Sequence, residues 1–318
     1  MKKLLVAIAV VLLGVQSGAF AQTWPAKPIR VIVPFSPGGA VDVVARVVME
    51  QVSKELGQPI VVDNRVGAGG TIGAAAVAKA DPDGYTILVH SSSHTVAPAL
   101  FAKLPYDAVG DFAAVIPLGS QPTALFVPAG RGYATVKDFV TAAKAGKMSY
   151  GSGGVGNATH LNAERFQLSA GFKAEHVPFK GSPEALREVA AGRIDFSFST
   201  LSPALPLVKE GRVQVLAVSS RQRASALPEV PTTLEAGYPD SDYNFWIGML
   251  VPRGTSREII DRLHKESAKA LQLPQVQARL RALGADPMPM SSAEFDKLIV
   301  DEVAVNRALV KAAGIPMN

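Results

Sequence analysis

The chain has 318 residues, 48% of them hydrophobic, and a formal charge of +5 from 32 Lys and Arg against 27 Asp and Glu. That length exceeds the ~100–200 residues of one ordinary domain and predicts two lobes. The charges are scattered without a run of one sign, which points to a small anionic ligand and away from nucleic acid. With no cysteine anywhere, disulfides, a lipidated cysteine and thiolate chemistry are excluded.

Lys2 and Lys3 open the chain, an apolar stretch runs over 4–15, and Ala19-Phe20-Ala21 forms an A-x-A site. The stretch is too short to span a bilayer comfortably. Residues 1–21 are therefore expected to be a signal peptide cleaved before Gln22, giving a soluble, exported protein.

Strands and helices then alternate. Residues 29–34 are a β-branched run of the kind buried on both faces. The helix after it sets Val41, Val44, Val48 and Val52 on one face. Asp42, Arg46, Glu50 and Lys54 lie on the other, spaced for two i,i+4 ion pairs. Residues 59–62 form a second strand, and "NRVGAGGTIGAAAVAKA" a glycine-rich turn with a small-residue helix. A turn at Asp83-Gly84 leads to a third strand ending at His90, and strands over 112–118 and 124–127 flank Gln121-Pro122.

In the second half, Thr135 with Asp138 predicts a capped helix start. A strand over 148–151 runs into "SGGVGNATH" and a helix from about Leu161. Further strands are expected over 176–179, 194–199, 213–218 and 245–251. Ser182 and Pro183 start a helix that Gly192 stops. "LPEVPTTLEAGYPD" is a proline-rich, hinge-side connection. Capping boxes at Thr255…Glu258 and Ser291…Glu294 open two C-terminal helices.

This alternation predicts an α/β protein with a central mixed β-sheet in each lobe. Lobe 1 is expected to comprise residues 22–122 and 244–318, and lobe 2 residues 123–243, with the ligand cleft between them. Each lobe has a glycine-rich strand-to-helix joint, "PFSPGGAVD" and "GSGGVGNATH". Ligands of such sheets sit beyond the carboxyl ends of the strands, so facing lobes would bring both joints to one cleft. The joints are rich in Gly, Ser, Thr and Asn and poor in Lys and Arg. They can hold an anion through backbone N–H groups and positive helix ends. Otherwise the first joint is a tight connection that needs Gly for its backbone angles.

Other chemistries compete for the same residues. Gly151, Gly153 and Gly156 satisfy G-x-G-x-x-G, the mark of a dinucleotide site, but the strand before them is short and polar. Glu175, the acid at about the right distance, precedes its strand. "HSSSH" sets His90 and His94 four apart, a metal spacing only on a helix, whereas here His90 ends a strand. The serines read instead as a polar loop, at the cleft or merely at the surface, whose hydroxyls and N–H groups can bind a ligand oxygen. A hydrolase would need a serine from this segment, yet G-x-S-x-G and S-x-x-K are both absent. Asp63, Glu164 and Asp195 have no nucleophile paired with them in sequence. Asp195 at a strand start suits a structural hydrogen bond equally well.

Four blocks, "KPIRVIVPFSPGGAVDVVAR", "VVDNRVGAGGTIGAAAVAKADPDGYTIL", "HVPFKGSPEALREVAAGRIDFSF" and "LAVSSRQRASALPEVPTTLEAG", resemble the tripartite tricarboxylate transporter receptor family, the Bug-type extracytoplasmic solute receptors. The resemblance runs from about Pro25 to Gly314. It implies a two-lobed, type II-like periplasmic binding protein of the Venus-flytrap kind, not an enzyme, with no cofactor and no metal. Such a receptor captures a small organic carboxylate, a di- or tricarboxylate or an aromatic one. It delivers this ligand as a monomer to a two-subunit inner-membrane transporter, with presentation to a membrane sensor kinase as the alternative. Carried over residue by residue, the resemblance assigns ligand binding to Phe35, Ser36, Gly38, Gly39 and Ala40, joined by Ser91 and Ser92. From the second lobe it adds Ser152, Gly153, Asn157, Thr159 and His160, with Lys180 and Asp195 in family-like blocks near the cleft. Ser36 departs from the "PFPPGG" common in the family and adds a hydroxyl.

Overall fold

The computed structural model describes residues 24–315 and 317; the expected signal peptide lies outside the described residues. Two five-stranded mixed sheets form the two lobes. In the first, β1 (Ile29–Val33), β2 (Ile60–Asn64) and β3 (Thr86–Ser91) run parallel, and β10 (Trp246–Pro252) lies antiparallel between β3 and β4 (Phe112–Ser120), in the order β2-β1-β3-β10-β4. In the second, β6 (Ser149–Ser152) runs parallel to β7 (Glu175–Pro178) and β8 (Phe196–Thr200), and β5 (Thr123–Pro128) lies antiparallel between β8 and β9 (Val213–Val218), in the order β7-β6-β8-β5-β9. The two layouts are equivalent strand for strand. The chain passes between lobes twice, once from β4 to β5 and once from β9 to β10.

Helices cover both faces of each sheet, which explains the unbroken apolar runs in the strands. On one face of the first sheet, Val31, Val33 and Val89 pack with α1 (Ala40–Leu56) through Val44 and Val48. On the other, Ile32, Leu88 and Trp246 pack with Ala74 and Val77 of α2 (Thr71–Ala78) and Phe295 of α10 (Ser292–Ala313). α1 carries both expected ion pairs, Arg46 with the buried Asp42 at 2.9 Å and Lys54 with Glu50 at 3.3 Å. No helix of the described residues is long and apolar enough to cross a membrane.

Some local expectations change. The serines of "HSSSH" do not form a loop: α3 (Ser93–Leu100) begins inside the segment, and all five of its residues are buried. Besides α3, two more helices were not anticipated, α7 (Leu201–Lys209), which has Pro206 inside it, and α9 (Pro274–Ala282), which starts on a proline. At α8 (Arg257–Gln272) the cap is Ser256, whose Oγ accepts from the Ile259 N–H. Thr255 instead donates its hydroxyl to the Pro252 carbonyl at 2.8 Å. The capping boxes at α4 (Val136–Ala145) and α10 are both complete, Thr135 with Asp138 and Ser291 with Glu294. In α6 (Ser182–Ala190) the cap position is Gly181, one residue before the expected serine.

Candidate functional site

The carboxyl ends of β1, β3, β6 and β8 point into the space between the lobes. The lobes close there on a cavity of about 20 Å³, enough for one ordered water. Phe35, Ser36, Gly39, Ala40 and Val41 line it from the first joint and Ser91 from the end of β3. Asn157, Gly181, Pro183 and Thr200 line it from lobe 2, and Phe245 from the second crossing between lobes. A ligand larger than water needs more room than this arrangement of the lobes leaves.

Three helices begin on residues that line this cavity: α1 after Gly39, α6 after Gly181 and α7 at Thr200. None of the three has a side-chain cap. Elsewhere α4, α8, α10 and α5 (Ala158–Ala170) are each capped by their own Thr135, Ser256, Ser291 or Asn157, while α2, α3 and α9 have no side-chain cap. An uncapped first turn leaves orphan N–H donors and about half a positive charge. Among the described residues no Lys, Arg, Asp or Glu lines the cavity. The site therefore attracts anions through main-chain N–H groups and hydroxyls alone.

Of the residues assigned from sequence, Phe35, Ser36, Gly39, Ala40, Ser91 and Asn157 meet at this cavity. Gly38 lies at its edge, its N–H committed to Asp42 Oδ2 at 3.0 Å. Ser92 packs beneath it, 3.4 Å from the Tyr243 hydroxyl. Gly153 and Lys180 line a separate outer chamber of about 650 Å³ together with Gly67, Gly69 and Glu184. Asp195 stands at the opposite end of the second sheet, where its carboxylate accepts from the Ser149 N–H at 2.9 Å and hydroxyl at 3.1 Å.

The second glycine turn is spent on itself and on the other lobe. Gly153 N–H donates to Thr159 Oγ1 at 3.0 Å, Gly154 N–H to Ser152 Oγ at 3.1 Å and Thr159 N–H to Asn157 Oδ1 at 2.8 Å. Ala158 N–H donates across the cleft to Ser93 Oγ at 2.8 Å. None of these four donors is left for a pyrophosphate, so this G-x-G-x-x-G lacks the dinucleotide cradle. What faces the first joint is the start of α6: a Cβ on Gly181 would lie 2.9 Å from Ser36 Oγ. Ser182-Pro183 was legible as a helix start but carried no sign that it faces the cleft, and nothing in the sequence pointed to Thr200.

Histidines brace both sides of the cleft in neutral form. His90 is held down to about 3 by burial and by His94, and His94 to about 4 by burial. In lobe 2, His160 stacks on His176 with centroids 4.0 Å apart. Burial, with the neighbouring ring, lowers His160 to about 3, and burial lowers His176 to about 4. His176 Nε2 lies 2.6 Å from Ser152 Oγ, and His94 Nε2 donates to the Ala108 carbonyl at 2.7 Å. Among the described residues no three His, Asp or Glu side chains are grouped to hold a metal.

The sequence profile described as the tripartite tricarboxylate transporter family receptor matches residues 44–315. BugT of Bordetella pertussis is 34% identical over 309 residues, covering 96% of this chain and 95% of its own. An R. palustris protein solved with adipate superposes with a TM-score of 0.89 at 32% identity, covering 93% of this chain and all of its own. MatC of Rhodopseudomonas palustris, solved with bound malate, gives 0.85 at 31%, with 90% and 100% coverage. The type II-like two-lobed fold, the anion-seeking cleft and these similarities agree, and the chain belongs to the tripartite tricarboxylate transporter receptor family, as a solute-binding receptor and not an enzyme.

Proposed function

We propose that the protein captures a small organic carboxylate between its lobes and delivers it to a two-subunit membrane transporter of the tripartite tricarboxylate type. The observation that carries this reading is the convergence of three uncapped helix starts, from both lobes, on a cavity lined by no charged side chain. Charge-assisted N–H bonds contribute about 1.5–3 kcal/mol each. A few of them suffice for micromolar binding, roughly −8 kcal/mol. The relatives solved with adipate and malate bind ligands of this chemistry. A carboxylate that touches both lobes favours the closed form, because only closure brings both sets of donors to it.

The test is calorimetry and thermal shift of the mature protein with a panel of organic acids. Binding raises the melting temperature by mass action. A shift from a sugar or a cation but from no carboxylate overturns the reading. Export is part of the proposal: the periplasmic fraction is expected to hold a chain that starts at Gln22. Crosslinking of the ligand-loaded protein in membranes is expected to recover transporter subunits; recovery of a sensor kinase alone would overturn the transport half.

A further inference from the structure

A cavity of about 540 Å³ lies where the chain crosses between the lobes for the second time. It shares no lining residue with the inner cavity. Arg165 enters it from α5 of lobe 2, Glu302 and Asn306 from α10 of lobe 1, and Arg221, Asp242 and Tyr243 from the crossing itself. Its charges are not matched pair by pair. Arg221 Nε lies 2.9 Å from one oxygen of Asp242 and Arg165 Nη2 lies 3.4 Å from the other. Two guanidinium groups thus share one carboxylate, and the Arg221 side chain is 85% exposed. Glu302 is in the reverse position. Its Oε2 accepts from Trp246 Nε1 at 2.8 Å and from Thr95 Oγ1 at 2.9 Å. Among the described residues no cation offsets its burial, which holds its pKa up to about 7. A carboxylate drawn out of water without a facing cation is costly. The Asn306 amide donates to Thr95 Oγ1 at 3.0 Å, which leaves its carbonyl oxygen for another donor. The Tyr243 hydroxyl stands in the field of both sides: burial and the Glu302 charge raise its pKa, while Arg165 lowers it.

We propose that this cavity is a second ligand site, separate from the cleft, for a small zwitterion with one ammonium and one carboxylate group, a free amino acid being the simplest case. The ammonium faces Glu302 and the Asn306 carbonyl. The carboxylate faces Arg221 and Arg165. Charge-assisted hydrogen bonds are the strong ones, and only a ligand with both groups makes them at both ends. The volume falls in the range of small-molecule sites. Unlike the inner cavity, which no charged side chain lines, this one recognises its ligand through side-chain charges of both signs.

The test is calorimetry at pH 8, where Glu302 is ionised, with glycine, L-alanine and L-leucine, and with methylamine as a ligand that lacks the carboxylate. The wild type, Glu302→Gln and Arg221→Met are compared. Glutamine still accepts hydrogen bonds and removes the negative charge; methionine removes the exposed positive one. At least one amino acid is expected to bind the wild type, about tenfold or more tightly than methylamine does. Each variant is expected to weaken that binding about tenfold. Adipate is expected not to displace the amino acid, since the two sites share no residue. No binding of any amino acid to the wild type, binding that neither variant weakens, methylamine as tight as the amino acids, or displacement by adipate would each overturn the second site. Circular dichroism checks the fold of each variant. If Glu302→Gln unfolds, Arg221→Met decides, because its side chain lies at the surface.

Discussion

Gly69 lies directly against the other lobe. Its φ is 63°, and a Cβ there would lie 2.1 Å from the Val155 carbonyl oxygen of the other lobe. A side chain has no room unless the lobes part. Gly69→Ala places an alanine in the left-handed region at a buried position, so it is expected to lower the melting temperature modestly and to weaken carboxylate binding by on the order of tenfold or more. Circular dichroism and calorimetry read the two effects separately, and unchanged affinity would show that this contact does not limit closure. The sequence marked 67–70 as a turn. It gave no hint that one of those glycines is required by backbone 86 residues further on, since that depends on lobe docking.

The buried histidines set a pH limit. His90, His94 and His160 stay neutral in the fold and protonate near 6.5 in the unfolded chain. The unfolded state thus binds more protons as pH falls below 6.5, and stability drops until the pH reaches their lowered values. His176 acts in the same direction. Glu302 opposes them: burial holds it up to about 7, against 4.5 unfolded, so between those values the fold keeps a proton that the unfolded chain has lost. Four protons gained against one leaves three, a net slope of up to about 4 kcal/mol per pH unit between pH 6 and pH 5. Melting temperatures measured across that interval are expected to fall steeply, and a flat profile would contradict the neutral burial of these rings.

Among the elements, α1 was legible in full. Its apolar face, its two ion pairs and its start after a Pro/Gly joint are all written at helical spacing. The capped starts of α4 and α10 were legible for the same local reason. Ser291→Ala is expected to cost about 1 kcal/mol. That corresponds to a fall in melting temperature of roughly 2–4 °C per kcal/mol for a fold of this size. The matching change at Thr255, which does not cap α8, removes no cap. Where local signals conflict with tertiary structure, legibility ends. Prolines at 203 and 206 hide α7 because proline is read as a helix breaker, yet Pro203 falls in the first turn, where its missing N–H costs nothing. The three serines between two histidines read as loop at "HSSSH", but every residue of the segment is buried, and its hydroxyls bond to one another and to the other lobe. The site was half legible for this reason: the first joint announces itself in sequence, while the helix starts that oppose it do not.

For the whole molecule, closure depends on few bonds. Ser93 Oγ accepts the Ala158 N–H across the cleft, and Gln121, where the chain first crosses, binds Ser202 and the Leu283 carbonyl. Ser93→Ala removes the first of these and is expected to cost the closed form about 1 kcal/mol, a fall in carboxylate affinity of about fivefold. Small-angle scattering at subsaturating ligand is expected to show a larger radius of gyration than wild type; an identical curve would place the latch elsewhere. The two-lobe architecture itself was legible because alternating elements and chain length fix it without reference to any single contact.

The interleaving of the strands bears on how the protein is made. All five strands of the second sheet are contiguous in the chain, from β5 to β9, whereas the first sheet receives β10 into its interior from beyond them. During synthesis the second lobe has everything it needs before the first does. Until residues 246–252 arrive, β3 and β4 have no partner between them, so the half of the protein that is made first must be the last to assemble.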